Sequence, residues 1–315
     1  MLLIIINNFI LNYIHIKMPK KNFNIKKILS HKIFLVILGF ILLLTIIKLI
    51  LDYTSKISSK ETFINIEEGD DLLALLYDNT FSYDKLYKTE ADIIAKKTKL
   101  KKDAKILVIG VENGRLIEAL EKLGFKNITA CDNKLSYLNR VRTKTPGVNI
   151  IHKACLNQSL FERFSFDMVI SNHASFYIYN EDERRIILRN VKYWLKPRGY
   201  FICSIFKRNK LDPAPREYSM YYNKDKNKHA LTYFKDYTHD AYWTFPSENY
   251  VYYNEKYIIE NGNHKSKTHK FFIPEDNNQI LKSAKDNSLK PIEVVSLKKT
   301  AGVEDIEMGI FMNLD

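Results

Sequence analysis

The residues whose spacing is most suggestive of chemistry lie in the turn Gly110-Val-Glu-Asn-Gly114, directly after the apolar run Ile106–Ile109. A buried strand, a glycine turn and a following helix form the usual cradle of a nucleotide-type cofactor, because glycine lets the backbone approach a ligand at the first helical turn. Here Glu112 stands where a second glycine is expected, and the strand carries Val108 where an acid is common. The pattern predicts a cofactor loop with an altered sequence.

Alternating strands and helices must position this loop. The predicted strands are 105–109, 127–131, 148–152, 166–171 and 200–206. The predicted helices are 84–100, 114–123 and 135–144, with a further helix that starts at the capping box of Asn180 and Glu183. Repeated units of this kind predict a parallel sheet that is covered by helices on both faces.

The C-terminal part departs from this alternation. Residues 211–258 are rich in tyrosine that partly alternates with polar residues, which predicts hairpin strands; sheet packing explains these tyrosines better than a substrate-binding role. A helix follows at 274–286, and then apolar runs at 291–297 and 306–313. The loop between these two runs is too short for a helical crossover, so they are predicted to pair antiparallel.

The N-terminal residues have a different composition. Residues 1–32 form a basic tail, residues 33–51 an apolar stretch that is interrupted only by Lys48, and residues 52–69 a polar linker to a domain over 70–315. About 19 apolar residues are enough for a helix to cross a bilayer. The stretch therefore predicts a single-pass transmembrane anchor, and the side of the membrane that carries the domain stays open.

Charge and cysteine content limit the other classes of function. The net charge is +13, but nine lysines oppose a single acid in the first sixty residues, so the basicity is concentrated in the N-terminus and nucleic acid is not the favoured partner. An RNA substrate stays an alternative. Cys131, Cys155 and Cys203 show no metal-ligand spacing and are predicted to be buried core residues, so no metal site is expected.

Several segments resemble the class I S-adenosylmethionine-dependent methyltransferases. Residues 105–124 are similar to the first motif of that family, and residues 128–142 to the second-strand segment that ends in an acid. Residues 165–206, with the turn Lys196-Pro-Arg-Gly199, resemble the block from the fourth to the fifth strand. The tail is similar to small-molecule methyltransferases such as those of quinone biosynthesis. The resemblance implies a seven-stranded, mostly parallel Rossmann-like sheet with an antiparallel last strand.

The resemblance also implies site residues. Those expected to bind S-adenosyl-L-methionine are Tyr87, Gly110, Glu112, Gly114, Asp132, Asn133, Cys155 and Asn172. Asp132 is expected to accept hydrogen bonds from the ribose hydroxyls, by the same logic as the acid of dinucleotide-binding folds, or simply to cap the next helix. His173 and Tyr177 are expected to contact the methyl acceptor, although His173 is equally interpreted as a loop histidine.

Two acids that the family customarily carries are missing. Val108 replaces the acid of the first strand, and the position of the adenine-binding acid falls near Ala154–Cys155. Losing two charge-assisted hydrogen bonds weakens binding by roughly two to four orders of magnitude if nothing compensates. The sequence therefore predicts a membrane-anchored methyltransferase with a small or membrane-associated acceptor. The alternative is an inactive pseudo-methyltransferase that serves as a membrane-tethered binding or scaffolding module.

Overall fold

The protein is described from a computed structural model. The described residues are 36, 39–40, 43–49, 62–65, 76–77, 79–81, 83–213, 223–224, 229–259, 263–276 and 278–314. The chain divides into two units, residues 1–59 and residues 60–315. All the strands and helices named below belong to the second unit.

The strands and helices are numbered along the chain. The strands are β1 Thr62–Asn65, β2 Ile106–Ile109, β3 Ile128–Asp132, β4 Asn149–His152, β5 Phe166–Ser171, β6 Leu195–Phe206, β7 Asn223–Lys224, β8 His229–Tyr233, β9 Tyr237–Thr244, β10 Val251–Ile259, β11 Asn263–Phe271, β12 Leu289–Ser296 and β13 Ile306–Asn313. The helices are α1 Asp84–Thr98, α2 Arg115–Lys122, α3 Leu135–Lys144, α4 Glu181–Trp194, α5 Asn278–Asp286 and α6 Lys298–Ala301. Short 3-10 turns lie at Gln158–Leu160, His173–Phe176 and Arg208–Lys210.

Seven strands form the sheet that the sequence predicts. Their order is β12-β13-β6-β5-β2-β3-β4, and β2 to β6 run parallel to one another. The last strand, β13, is antiparallel to both of its neighbours. The predicted fifth strand starts earlier than expected, because α4 ends at Trp194 and β6 begins at Leu195. The turn at 196–199 therefore lies within the strand.

Apolar side chains cover both faces of this sheet. On one face α1, α2 and α3 contribute Ile94, Ile117 and Leu138 to a buried cluster with β2, β3 and β5. On the other face α4 and α5 pack through Trp194 and Ile280. Burial on both faces explains why the central strands are continuous apolar runs rather than alternating ones.

A second sheet was not predicted in this form. Its six strands have the order β1-β11-β10-β9-β8-β7, so it extends from the tyrosine-rich segment to Phe271 and includes β1 from the segment interpreted as a linker. Arg208 joins the two sheets, because its guanidinium donates hydrogen bonds to the carbonyls of Glu248 and Ile273 at 2.7 Å each. This connection places β9, β10 and β11 beside the carboxyl ends of the parallel strands.

The predicted transmembrane helix at residues 33–51 is wrong. Of this stretch the structure describes residues 36, 39–40 and 43–49, which are helical. A membrane-spanning helix needs about 20 consecutive, predominantly apolar residues. Within the described part of the chain no helix is long and apolar enough to cross a membrane. The basic tail at residues 1–32 lies outside the described residues.

Candidate active site

The loop between β2 and α2 turns through three residues with left-handed backbone conformation. The φ angle is +69° at Gly110, +49° at Glu112 and +76° at Gly114. Glycine adopts such angles without steric cost, whereas any other residue is strained by them. Glu112 therefore preserves the backbone path of a three-glycine turn and adds a carboxylate to it.

Both glycines are also required by close packing. A Cβ atom on Gly110 would lie 2.2 Å from Cβ of Ser175, which follows β5. A Cβ atom on Gly114 would lie 2.9 Å from Cγ2 of Val141 in α3. Gly114 thus serves to seat α2 against α3, and Gly110 lines the main cavity of the site.

Asp132 is the last residue of β3 and is hydrogen-bonded to the loop between β2 and α2. Its Oδ2 accepts a hydrogen bond from the Val111 backbone N–H at 2.9 Å, and its Oδ1 accepts one from the Lys134 N–H at 2.8 Å. Burial raises the pKa of this carboxyl, and hydrogen bonds from backbone N–H groups act against that rise. A carboxylate has about four acceptor positions. Asp132 therefore keeps acceptor capacity for a ligand in the cavity that it lines.

His173 is held by a buried acid on α1. Its Nε2 lies 3.0 Å from Oε2 of Glu90, a residue that is only 1% exposed. The backbone φ of His173 is +53°, and its N–H donates to Oγ of Ser204 at 2.7 Å. These contacts fix the imidazole at the carboxyl end of β5.

Glu112 lies on the other side of the same imidazole. Its Oε2 is 4.0 Å from Nδ1 of His173 and accepts a long hydrogen bond of 3.5 Å from the Tyr87 hydroxyl. The Tyr87 ring stacks on His173, with 4.9 Å between centroids. Burial raises the pKa of the Glu112 carboxyl, His173 lowers it, and the charges of Glu90 and Asp132 raise it further. The three carboxylates make this end of the site strongly negative.

Asn172 is the residue whose surroundings point most clearly to a ligand-binding role. It is 5% exposed, and neither its Oδ1 nor its Nδ2 has a hydrogen-bond partner in the part of the chain that the structure describes. Unpaired buried amides are costly, so native structures normally satisfy them. Asn172 lines a small space with Val108 and Arg115 that shares Tyr87 and Glu112 with the main cavity.

The main cavity has a volume of about 190 Å³ and lies between the two sheets. The second sheet and the segment before α1 supply an aromatic wall. Its members are Tyr77, Phe81, Tyr83, Trp243, Tyr253, His269 and Phe271. Charged lining comes from Glu112, Asp132, Lys134, Asp212 and Asp305. The cavity can thus enclose a flat or apolar molecule that also carries positive charge.

Most of the site residues that the sequence predicts line the main cavity, and Cys155 and Tyr177 are among those that do not. The cavity brings together Tyr87, Gly110, Glu112, Asp132, Asn133 and His173. Cys155 lines a smaller adjoining space, where its Sγ lies 3.0 Å from Sγ of Cys131. Tyr177 does not line the main cavity: it is 1% exposed, and its hydroxyl donates to the Ser204 carbonyl and accepts from the Phe206 N–H.

Glu90 and His269 were missed in the sequence. Glu90 lies four residues after Leu86 and four before Ile94, so it occupies the apolar face of α1, where an acid is unusual. That position was a usable signal. His269 offered none, because β11 reads as a polar segment and its contacts come from strands that are distant in sequence.

Comparison with known proteins gives the geometry a family. Residues 107–203 match the methyltransferase domain family. No curated protein matches the chain. The solved structures that it resembles include the sugar N-methyltransferase KedS8 of Streptoalloteichus, with 10% identity, a TM-score of 0.60, and coverage of 81% of this chain and 98% of that one.

Two further neighbours have the same fold. A methyltransferase from Clostridium acetobutylicum is 17% identical, with a TM-score of 0.57 and coverage of 76% of this chain and 97% of that one. CalS10, an amino pentose methyltransferase from Micromonospora echinaspora with bound S-adenosylmethionine, is 14% identical, with a TM-score of 0.55 and coverage of 72% and 91%. Residues 107–203 thus match a methyltransferase domain, and the chain has the fold of these solved methyltransferases.

Proposed function

We propose that this protein is an active methyltransferase that transfers the methyl group of S-adenosylmethionine to a small molecule bound in the cavity. The observation that carries the proposal is that Asp132 and the unpartnered amide of Asn172 line two adjoining spaces, which share Gly110 and Glu112 of the left-handed loop. A buried amide without partners is unusual in a structural core, because native structures normally satisfy such groups.

The residues present fit the cofactor. Asp132, whose carboxylate lines the cavity, would accept hydrogen bonds from the ribose hydroxyls. Asn172 would pair its amide with the polar groups of the methionine part. Glu112 lines both adjoining spaces and supplies a carboxylate for the amino group. The Glu112 carboxylate would thereby take the role of the acid that Val108 replaces in the first strand. One of the two missing acids is then restored from another position.

The hydrogen bond between His173 and Glu90 would fix the position of the imidazole at this site. Glu90 does not line the cavity, so we assign it to orienting the imidazole of His173 rather than to ligand contact. The stacked Tyr87 and His173 rings exclude water from the side of Glu112. The negative charge of the acids at this end favours a cationic ligand at short range, where screening by water is weak.

When bound, the cofactor supplies a methyl group on a positively charged sulfur. The protein's part is to align the acceptor with that carbon and to exclude water, since methyl transfer depends mainly on alignment. The aromatic wall from β9, β10 and β11 provides the enclosure. KedS8 is described as a sugar N-methyltransferase and CalS10 as an amino pentose methyltransferase, which makes amine-bearing small molecules the first acceptors to examine.

Label transfer tests the proposal. The protein is incubated with methyl-labelled S-adenosylmethionine and the small-molecule fraction of a cell extract, and the products are separated by mass. We expect a labelled product below about 1 kDa that disappears in Asp132→Asn but persists in Asp182→Asn, an exposed acid on α4. Tight binding of S-adenosylhomocysteine without any labelled product would instead indicate a pseudo-methyltransferase that only binds.

A further inference from the structure

A second histidine–acid cluster is built into the second sheet, away from the predicted cofactor loop. Glu255 of β10 is 3% exposed and is contacted by three side chains. Nε2 of His269 lies 2.6 Å from its Oε1, Nε2 of His239 lies 3.2 Å from its Oε2, and the Tyr257 hydroxyl donates to Oε2 at 2.9 Å. Every partner comes from β9, β10 or β11.

Strand register explains this assembly. Tyr253, Glu255 and Tyr257 alternate along β10, so their side chains point to one face of the sheet. His269 on β11 stands opposite Tyr253, and His239 on β9 stands opposite Tyr257. The two histidines therefore reach Glu255 diagonally from the two neighbouring strands.

His269 is the histidine of the cluster that lines the main cavity, and Tyr253 lines the cavity beside it. His239 is fully buried and does not line the main cavity, whereas the side chain of His269 is 17% exposed and does. The Nε2 of His269 is committed to Glu255, and its Nδ1 has no hydrogen-bond partner among the described residues. If Nε2 carries the proton that it shares with Glu255, Nδ1 is the ring nitrogen able to accept a proton.

The charge of Glu255 is secured by its surroundings. Burial acts to raise the pKa of its carboxyl, but the hydrogen bonds from His239 and His269 outweigh burial and hold the pKa below its ordinary value. A buried carboxylate that stays ionised fixes the tautomer of the histidine it accepts from and stabilises the imidazolium form, as in a histidine–acid pair of a hydrolase.

The surroundings of His269 favour a cationic ligand. The cavity carries four carboxylates, Glu112, Asp132, Asp212 and Asp305, against the single lysine Lys134. Asp212 lies close enough to raise the pKa of Tyr253, the residue opposite His269. Trp243 adds an aromatic face, and its buried Nε1–H has no partner in the described part of the chain. An ammonium group beside aromatic rings and carboxylates is favourably placed.

We propose that His269 is the general base of the methyl transfer, that Glu255 positions it, and that the acceptor is an amine which enters the cavity as an ammonium ion. The inference rests on the proposed function. An ammonium nitrogen has no lone pair, so it must lose a proton before it can accept a methyl group. His173 is not suited to this task, because its ring nitrogens face Glu90 and Glu112 at the predicted cofactor end.

The step balances as a simple displacement. Nδ1 of His269 takes one N–H proton from the ammonium, and the freed lone pair forms the bond to the methyl carbon. The carbon–sulfur bond breaks at the same time, and its electron pair stays on sulfur. The imidazolium, paired with Glu255, then releases its proton to water as the methylated ammonium leaves.

Other titratable groups surround His269 and must be separated from it in any test. Those on the packed strands are Tyr253 and Glu255 of β10 and His239 of β9. Those on the other elements that line the cavity are Tyr77, Tyr83, Tyr87, Glu112, Asp132, Lys134, Tyr137, His173, Asp212 and Asp305. A site-resolved measurement is therefore needed, rather than a pH profile alone.

Nitrogen NMR on ¹⁵N-histidine-labelled protein gives that resolution without any cofactor. At pH 8 we expect His269 to show a protonated Nε2 and an unprotonated Nδ1, and Glu255→Gln to leave a mixture of tautomers. With S-adenosylhomocysteine present, millimolar benzylamine should shift Nδ1, and matched benzyl alcohol should not. A protonated Nδ1 in the free protein, or no shift with benzylamine, overturns the proposal.

Kinetics provide the second readout, with glucosamine and benzylamine against glucose and benzyl alcohol. His269→Ala should lower kcat at least about 100-fold, the usual contribution of a general base. Added imidazole should restore part of that activity, while the affinity for S-adenosylhomocysteine stays within twofold. Thr268→Ala, an exposed change on the opposite face of β11, is the matched control. Full activity of His269→Ala, or methylation of the alcohols in preference to the amines, refutes the assignment, whereas absent S-adenosylhomocysteine binding refutes the proposed function instead.

Discussion

Glu90 and His173 are 83 positions apart in the chain and lie 3.0 Å apart across the predicted cofactor end of the site. This pair connects α1 to the carboxyl end of β5 and adds a buried acid to a site whose motif acids are incomplete. Because Glu90 is almost fully buried, its charge is weakly screened, and His173 is its hydrogen-bond partner.

Replacing Glu90 by glutamine tests whether the charge behind His173 matters for binding. Glu90→Gln keeps the size of the side chain but replaces a charge-assisted hydrogen bond by a neutral one. We expect the dissociation constant for S-adenosylhomocysteine to rise about tenfold. Asp92→Asn, an exposed change on the same helix, should leave it unaltered. Equal affinities of Glu90→Gln and the parent protein would show that Glu90 is only a core residue.

Two substitutions of Glu112 separate its backbone role from its side-chain role. Glu112→Gly removes the strain of a φ of +49° and should raise the free energy of unfolding by about 1 kcal/mol, as measured by urea denaturation. Glu112→Gln keeps that strain. Both variants lack the carboxylate, so both should bind S-adenosylhomocysteine about 10- to 100-fold more weakly. Unchanged binding in the glycine variant would remove Glu112 from the cofactor site.

Glu255 predicts a pH-dependent contribution to stability. Its pKa lies below the ordinary value of 4.5, so its stabilisation is fully present above that pH and is lost as the pH falls through the lower folded-state value. Glu255→Gln breaks a buried ionic cluster and should cost about 3–5 kcal/mol at pH 7.

Urea denaturation at pH 7 and at a pH below 4.5 checks the sign of this effect. The difference in the free energy of unfolding between Glu255→Gln and the parent protein should narrow at the lower pH. Glu293→Gln, at the exposed pair with Lys97, is the control and should show a small difference at both. A difference that widens on acidification would mean that Glu255 is not ionised in the folded protein.

The close approach of Gly110 and Ser175 predicts that substitutions at these two positions have coupled effects on stability. Gly110→Ala would place a Cβ atom 2.2 Å from Cβ of Ser175 and force alanine into a φ of +69°. We expect a loss of about 2–4 kcal/mol in unfolding free energy, from overpacking and backbone strain together. Adding Ser175→Gly relieves the overpacking but not the backbone strain. The double variant should therefore recover roughly half of the unfolding free energy that Gly110→Ala loses. Additive losses would show that the two residues do not share this contact.

Much of the main sheet could be predicted from the sequence, because its strands are short apolar runs separated by helices. The loop at 110–114 and the acid at Asp132 were also recognisable, since glycine spacing and a strand-ending acid are local features. The structure places both beside one cavity. Local features of this kind survive even where Val108 and Glu112 depart from the expected residues.

The second sheet and its cluster could not be predicted in the same way. β11 reads Asn-His-Lys-Ser-Lys-Thr-His-Lys-Phe, which lacks the apolar alternation of a strand because polar residues occupy all positions before Phe271, including the buried His264. Of its two histidines, His269 is explained only by Glu255 on the neighbouring strand. The transmembrane prediction for residues 33–51 failed for a different reason. The composition of this stretch suits a bilayer, but composition alone does not show whether one long helix forms.

Calorimetric titration with S-adenosylhomocysteine tests the central claim most directly. For the folded parent protein we predict saturable binding at a single site, with a dissociation constant below about 1 mM. Asp132→Asn keeps an acceptor for the Val111 N–H but should bind at least about tenfold more weakly, and Asp182→Asn should bind like the parent. Folded parent protein that gives no binding heat at millimolar S-adenosylhomocysteine would contradict the assignment of this site to the methyl-donor cofactor.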